Sequence, residues 1–145
     1  MVLWAGPSYD PSDSIPTALR AGTMPIAGTG AGTYSFINLR DAAAATINAI
    51  ARERSGVYNV VDDQPVQLST FLPVLARLLD APEPGHMEES VARAKFGDLR
   101  VYYWNQQRGA SNMKARRDLD WQPMYPSWRN GFEELYSTAR ETSAG

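Results

Sequence analysis

The sequence of 145 residues contains no cysteine, a single histidine and only two lysines, and its charges nearly cancel, with 14 Lys+Arg against 16 Asp+Glu. The missing thiols exclude disulfide scaffolds, thiolate zinc sites, iron–sulfur clusters and cysteine nucleophiles together. One histidine, His86, excludes a two-histidine metal site. A net charge of -2 supplies no general field for nucleic acid or anionic lipid, so neither is expected as a partner. Long apolar runs are also missing. The longest weakly polar stretch, Asp41 to Ala51, is mostly alanine interrupted by Thr46 and Asn48, short of the roughly 18 apolar residues a membrane span needs. The first residues, Met-Val-Leu-Trp-Ala-Gly-Pro, form neither a basic segment nor a signal-length apolar core, which predicts a cytoplasmic protein.

What is present suits one globular domain spanning 1–145: 43% hydrophobic and 21% charged residues, close to the soluble average. Val2 to Trp4 reads as a buried strand, followed by proline- and glycine-punctuated loops with a short helix near Ile15 to Ala21. Gly28-Thr-Gly-Ala-Gly32 reads as a turn feeding a strand at Tyr34 to Ile37. Asn38 caps a helix with an alanine-rich face suited to packing on a sheet, closed by Gly56. Gly56-Val-Tyr-Asn-Val-Val61 is a strand whose weak alternation suggests burial on both faces. Leu68 to Leu79 repeats apolar residues at helical spacing, capped by Ser69 or Thr70, with Pro73 near the first turn. After the break Ala81-Pro-Glu-Pro-Gly85, Glu88 to Gln107 is mostly helical. Ser111 and Ser127 cap two further helices, and Trp121, Trp128 and Phe132 are core candidates. The class is α/β, but with too few strands for a doubly wound sheet of about five or six.

The ordered segments Gly6-Pro7, Pro25-Ile-Ala-Gly28, Tyr34-Ser-Phe-Ile-Asn-Leu-Arg-Asp-Ala-Ala43, Gly56-Val-Tyr-Asn-Val-Val-Asp62, Arg108-Gly-Ala-Ser-Asn-Met-Lys-Ala115 and Leu119-Asp-Trp-Gln-Pro-Met-Tyr-Pro-Ser-Trp-Arg-Asn-Gly-Phe132 resemble the C-terminal half of an extended short-chain dehydrogenase/reductase, the NAD-dependent epimerase/dehydratase family. The resemblance implies a truncated Rossmann-like fragment, with few strands, flanking helices and a helical, loop-rich region that holds substrate. In such enzymes the N-terminal half binds the dinucleotide and supplies the catalytic residues.

Three departures from the family's pattern bear on function. No Gly-x-x-Gly-x-x-Gly turn follows an opening strand, and the cluster Gly28 to Gly32 precedes a strand instead of opening a helix, so it reads as a plain turn. The Tyr-x-x-x-Lys pair is absent, since Val91 and Ala110 stand four residues before Lys95 and Lys114. Tyr125 and Tyr136 are followed at that spacing by Arg129 and Arg140, whose fixed charge replaces lysine poorly. At the first turn of the capped helix, the family's His-Val-Asp-Asp is here Asn38-Leu39-Arg40-Asp41. The chain alone is thus expected to bind no cofactor, with NAD(P) held only beside a complementing chain.

Candidate site residues follow from residue type and resemblance. Tyr102, Tyr103 and Trp104 with Arg108 and Asn112 have the composition of a small-molecule pocket: aromatic faces for apolar or sugar rings, and directional donors. The resemblance places the segment of Arg108 close to substrate, although Ala110-Ser111 replaces the aspartate usual there. An aromatic run packed into the protein body explains the same residues equally well. For acid–base chemistry the candidates are Tyr103, Asp41 and His86, the last also readable as a surface histidine. The acidic pair Asp62-Asp63 reads as a strand-end turn, and Lys114 with Arg116 and Arg117 as a solvated helix face.

The leading expectation is a small-molecule binding or tailoring protein of epimerase/dehydratase descent, with non-redox isomerase, cyclase or dehydratase chemistry if active alone. The alternative is the substrate-binding half of a split NAD(P)-dependent oxidoreductase or epimerase. Exposed sheet edges predict a homodimer or a complex with an N-terminal-half protein.

Overall fold

A computed structural model describes residues 2–5 and 14–143, with side chains from 14 to 137. The chain is α/β and separates into two compact units, residues 1–9, 35–65 and 110–135 in the first and 10–34, 66–109 and 136–145 in the second.

In the first unit, strand β1 (Val2–Ala5) runs parallel to β4 (Val57–Val60), with Val2 opposite Val57 and Ala5 opposite Val60. Helix α2 (Leu39–Ala51) starts at Asn38, whose side chain accepts the Arg40 N–H at 2.8 Å and so satisfies one orphan donor of the first turn. Its buried alanines, Ala45 and Ala49, join Ile37, Tyr58, Val60, Ala115, Leu119 and Trp121 in one core; with only a methyl at those positions, the helix backbone can lie close to its neighbours. Helix α6 (Met113–Leu119) contributes Ala115 and Leu119 to it. The opening turns of α7 (Trp128–Ser143) bury Trp128 and Phe132, and Phe36 meets Phe132 edge-on at 5.3 Å.

The second unit carries α1 (Ser14–Arg20) and two small sheets. Strand β2 (Ile26–Ala27) pairs in parallel with β6 (His86–Met87), and β3 (Thr33–Tyr34) pairs antiparallel with β5 (Val66–Gln67). Helix α3 (Leu68–Leu78) buries Leu68, Phe71, Leu72, Leu75 and Ala76, an apolar face at i, i+3, i+4, i+7 and i+8. Helices α4 (Glu89–Phe96) and α5 (Asp98–Gln106) meet at Gly97. Among the described residues, no helix is long and apolar enough to cross a membrane.

Several local expectations give way to tertiary context. Helix α2 ends at Ala51 because Glu53 takes a left-handed φ of 50°, and Gly56 leads into β4 instead of closing the helix. Strand β4 alternates, with Val57 and Asn59 exposed and Tyr58 and Val60 buried, so one of its faces is wet. Of the strand expected at Tyr34 to Ile37 only Tyr34 belongs to the ladder with β5, where Thr33 precedes it. Gln67, not Ser69 or Thr70, precedes α3, and Pro73 lies in its second turn. The expected helix from Glu88 to Gln107 is two helices, because Gly97 adopts φ 90°, ψ 151°, a conformation that side-chain-bearing residues rarely take.

Candidate ligand site

The corner at Gly97 borders a concavity of the second unit. It is a cavity of about 380 Å³ lined by Ser14, Ile15 and Ala18 of α1, Thr23 and Met24 beyond it, Lys95 and Phe96 at the end of α4, and Arg100 and Trp104 on α5. Phe96 and Trp104 meet edge-on at 5.2 Å, and Lys95 holds its ammonium 5.4 Å from the Phe96 ring centroid. Acidic side chains next to this corner are already engaged: Arg93 binds Glu89 at 2.6 Å and reaches Asp98 at 3.4 Å. Among the described residues no carboxylate lines the cavity, whose two cations lie beside apolar walls at exposed positions.

The aromatic run divides. Successive residues on an α-helix point about 100° apart, so three neighbours cannot share a face. Trp104 turns inward to the cavity wall at 6% exposure, whereas Tyr102 and Tyr103 lie outside at 50% and 47%, edge-on to one another at 5.8 Å. Arg108 is exposed beyond the end of α5. Asn112 belongs to the first unit, where it is buried and donates its side-chain amide to the Val61 carbonyl and to Asp63 Oδ1, both at 2.8 Å. Arg116 completes that cluster with a 3.0 Å contact to the same Asp63 oxygen. Lys114 donates to the Val57 carbonyl and lies 4.8 Å from the Tyr58 ring centroid, so the basic face of α6 is partly engaged in holding β4.

The acid–base candidates are dispersed. His86 is exposed on β6, paired with Ile26. Asp41 is buried, and its two carboxylate oxygens accept the backbone N–H groups of Met124 at 2.7 Å and Tyr125 at 2.9 Å. The Tyr125 hydroxyl donates to Glu134 at 2.7 Å, and that hydrogen bond holds its pKa above the usual tyrosine value. Burial pushes the Tyr34 hydroxyl up to about 12. Among the described residues, no group of three His, Asp or Glu side chains is placed to hold a metal ion.

The glycine cluster is a turn joining β2 to β3. Asn105, buried on α5, accepts the Gly30 N–H at 2.9 Å and the Thr29 hydroxyl at 3.1 Å while donating to the Val101 carbonyl at 3.1 Å. At Gly32 a Cβ would run into the Trp104 carbonyl, so the close approach of this turn to α5 requires glycine. Of the cavity residues only Trp104 stands out in the sequence. Ser14, Ile15, Met24, Lys95, Phe96 and Arg100 are ordinary until Gly97 turns α4 against α5, and a glycine inside an otherwise helical stretch is the local sequence signal that could have marked them.

No protein-family model matches the chain. A 3-diazoavenalumate denitrifying reductase from Streptomyces is 37% identical over 137 residues, covering 90% of this chain and 45% of the relative. A human epimerase family protein solved with NADPH superposes with a TM-score of 0.76 at 18% identity, covering 94% of this chain and 48% of that one. The fold is a Rossmann-like α/β fragment, similar to part of that epimerase family protein. A functionally unknown protein from Silicibacter pomeroyi has a TM-score of 0.74 at 26% identity, over 95% of this chain and 48% of its own. The dTDP-glucose 4,6-dehydratase of Bacillus anthracis, solved with NAD, has a TM-score of 0.69 at 18% identity, over 99% and 45%. The chain therefore spans about half the length of the proteins it matches.

Proposed function

We propose that this chain is the substrate-holding half of a short-chain dehydrogenase/reductase-like enzyme that reduces a small molecule, with the dinucleotide and the tyrosine–lysine chemistry supplied by a complementing half. The observation that carries this reading is the 37% identity to a reductase over 90% of this chain, set beside a sequence with neither a Gly-x-x-Gly-x-x-Gly turn nor a Tyr-x-x-x-Lys pair. The reductase relative favours this reading over the non-redox one. In this role the chain's own residues bind and orient substrate, and NAD(P)H, once held by the complementing half, supplies the hydride. A second unit that presents an apolar cavity with two cations, and no dinucleotide cradle in its glycine turn, suits that division of labour.

The test is complementation. The chain is combined with the N-terminal half of the Streptomyces reductase, as a fusion and as separate proteins, and NADPH oxidation is followed with 3-diazoavenalumate. The expected result is no NADPH binding by the 145-residue chain in calorimetry, and binding with substrate-dependent oxidation in the combined protein. Tight NADPH binding by the chain alone, or a combined protein that binds NADPH but never oxidises it, overturns the proposal.

A further inference from the structure

We infer that the cavity walled by α1, α4 and α5 is a binding site for an aromatic carboxylate, its ring against Phe96 and Trp104 and its charge met by Lys95 and Arg100. The assignment deepens the reading of the chain as a substrate-holding half and rests on it for the ligand's role, though not for binding itself.

Three features define the ligand. The walls are hydrocarbon and aromatic, with Ile15, Met24, Phe96 and Trp104 presenting apolar surface, and a volume of about 380 Å³ falls at the lower end of the roughly 300–1,000 Å³ range of small-molecule pockets. Among the described residues the cations have no ion-pair partner: Arg93 takes up both Glu89 and Asp98, and neither Lys95 nor Arg100 forms an ion pair. A guanidinium with an ammonium satisfies one carboxylate with charge-assisted hydrogen bonds, while further negative charge deeper in the cavity would be desolvated against apolar walls without a partner. The third feature is Thr23, a lining residue whose hydroxyl donates its proton to the Ala18 carbonyl at 3.2 Å and so remains only an acceptor for a ligand. A ring substituent that donates a hydrogen bond fits there; a second anion does not.

The arrangement depends on the corner. Gly97 places Lys95 and Phe96 before the turn and Arg100 and Trp104 after it, so that one glycine sets the charge and the ring surface on the same wall. Arg93 then holds the corner closed through both of its acidic partners.

Calorimetric titration of the 145-residue chain with 2-naphthoate, with its uncharged twin 2-naphthamide and with UDP-glucose tests the assignment. Naphthoate is expected to bind at least about tenfold more tightly than the amide, the difference that one charge-assisted contact supplies. Arg100→Gln and Lys95→Gln, both at exposed positions, should each remove most of that preference while leaving amide binding and the circular dichroism spectrum unchanged. Equal affinity for acid and amide overturns the proposal, as does a preference for naphthoate over the amide that survives both substitutions, or naphthoate binding that is undetectable at millimolar concentration. Tighter binding of UDP-glucose at the same residues assigns the cavity to a nucleotide sugar instead. Because no cofactor enters this titration, a failed NADPH complementation with naphthoate binding intact strikes the proposed function alone, and the reverse outcome strikes the carboxylate site alone.

Discussion

The carboxylate of Asp41 accepts the backbone N–H of Met124 at 2.7 Å across 83 residues of sequence, and its second oxygen takes the N–H of Tyr125. A first-turn acid of α2 thereby holds the loop that leads into α7. Both oxygens are occupied by main-chain donors, which gives the residue a structural task whatever else it does. Asp41→Ala is expected to cost about 2 kcal/mol, because two donors lose their acceptor, and Asp41→Asn about 1 kcal/mol, because one oxygen remains. Urea denaturation of the two variants checks this; a loss of activity without a loss of stability would make Asp41 a participant in chemistry.

Asn105 plays the corresponding part in the second unit. Its side chain makes three hydrogen bonds, two of which fix the turn at Gly28 to Gly32. Asn105→Ala removes the shorter of the two hydrogen bonds of the Gly30 N–H, leaving it a 3.3 Å bond to the Ala27 carbonyl, and a destabilisation of about 1–2 kcal/mol is expected. Hydrogen exchange at Gly30 should accelerate in the variant more than exchange in α3, a contrast that uniform destabilisation would not produce.

Tyr34 sets an alkaline limit on stability. Its hydroxyl has a folded-state pKa of about 12, raised from 10.0 by burial beside Phe71. An acid whose pKa is raised on folding favours the protonated folded form, so its contribution is complete below about pH 10, falls as the unfolded chain ionises above that, and levels off near 12. Unfolding free energy should therefore decline across that window, and Tyr34→Phe should flatten the decline relative to the parent chain.

Tyr103 and Arg108 are exposed, so their removal tests ligand contact with little structural confusion. Tyr103→Ala and Arg108→Ala should each change stability by no more than about 0.5 kcal/mol. If the complemented enzyme then loses activity at least about tenfold, these residues touch the substrate. Unchanged kinetics would leave the cavity beside Trp104 as the sole candidate.

Strand β1 pairs with β4 alone among the described residues, and a parallel strand pair offers a further edge to a third strand. Light scattering is expected to find a homodimer of the chain by itself and a heterodimer once the N-terminal half is added. A monomer in both samples removes that expectation.

Much of this architecture follows from local pattern. The apolar spacing of Leu68, Phe71, Leu72 and Leu75 marks the buried face of α3, and Asn38 marks the start of α2, because both signals lie within one or two helical turns. The linked segments around Tyr34, Val57, Arg108 and Trp121 suffice to suggest a Rossmann-like fragment. Periodicity also implies that Trp104 must part from Tyr102 and Tyr103, but not which of them turns inward.

The sequence by itself determined the α/β class, the helices with strong periodicity and the lack of a dinucleotide turn and a tyrosine–lysine pair, since each is written in residues close together or in residues that are missing. Tertiary structure decided the rest. The ends of α2, the break at Gly97, the capture of Met124 by Asp41 and the meeting of Lys95, Arg100 and Trp104 with α1 all depend on contacts between distant segments or on a backbone angle. Residue type permits such contacts, but only the folded chain brings them together.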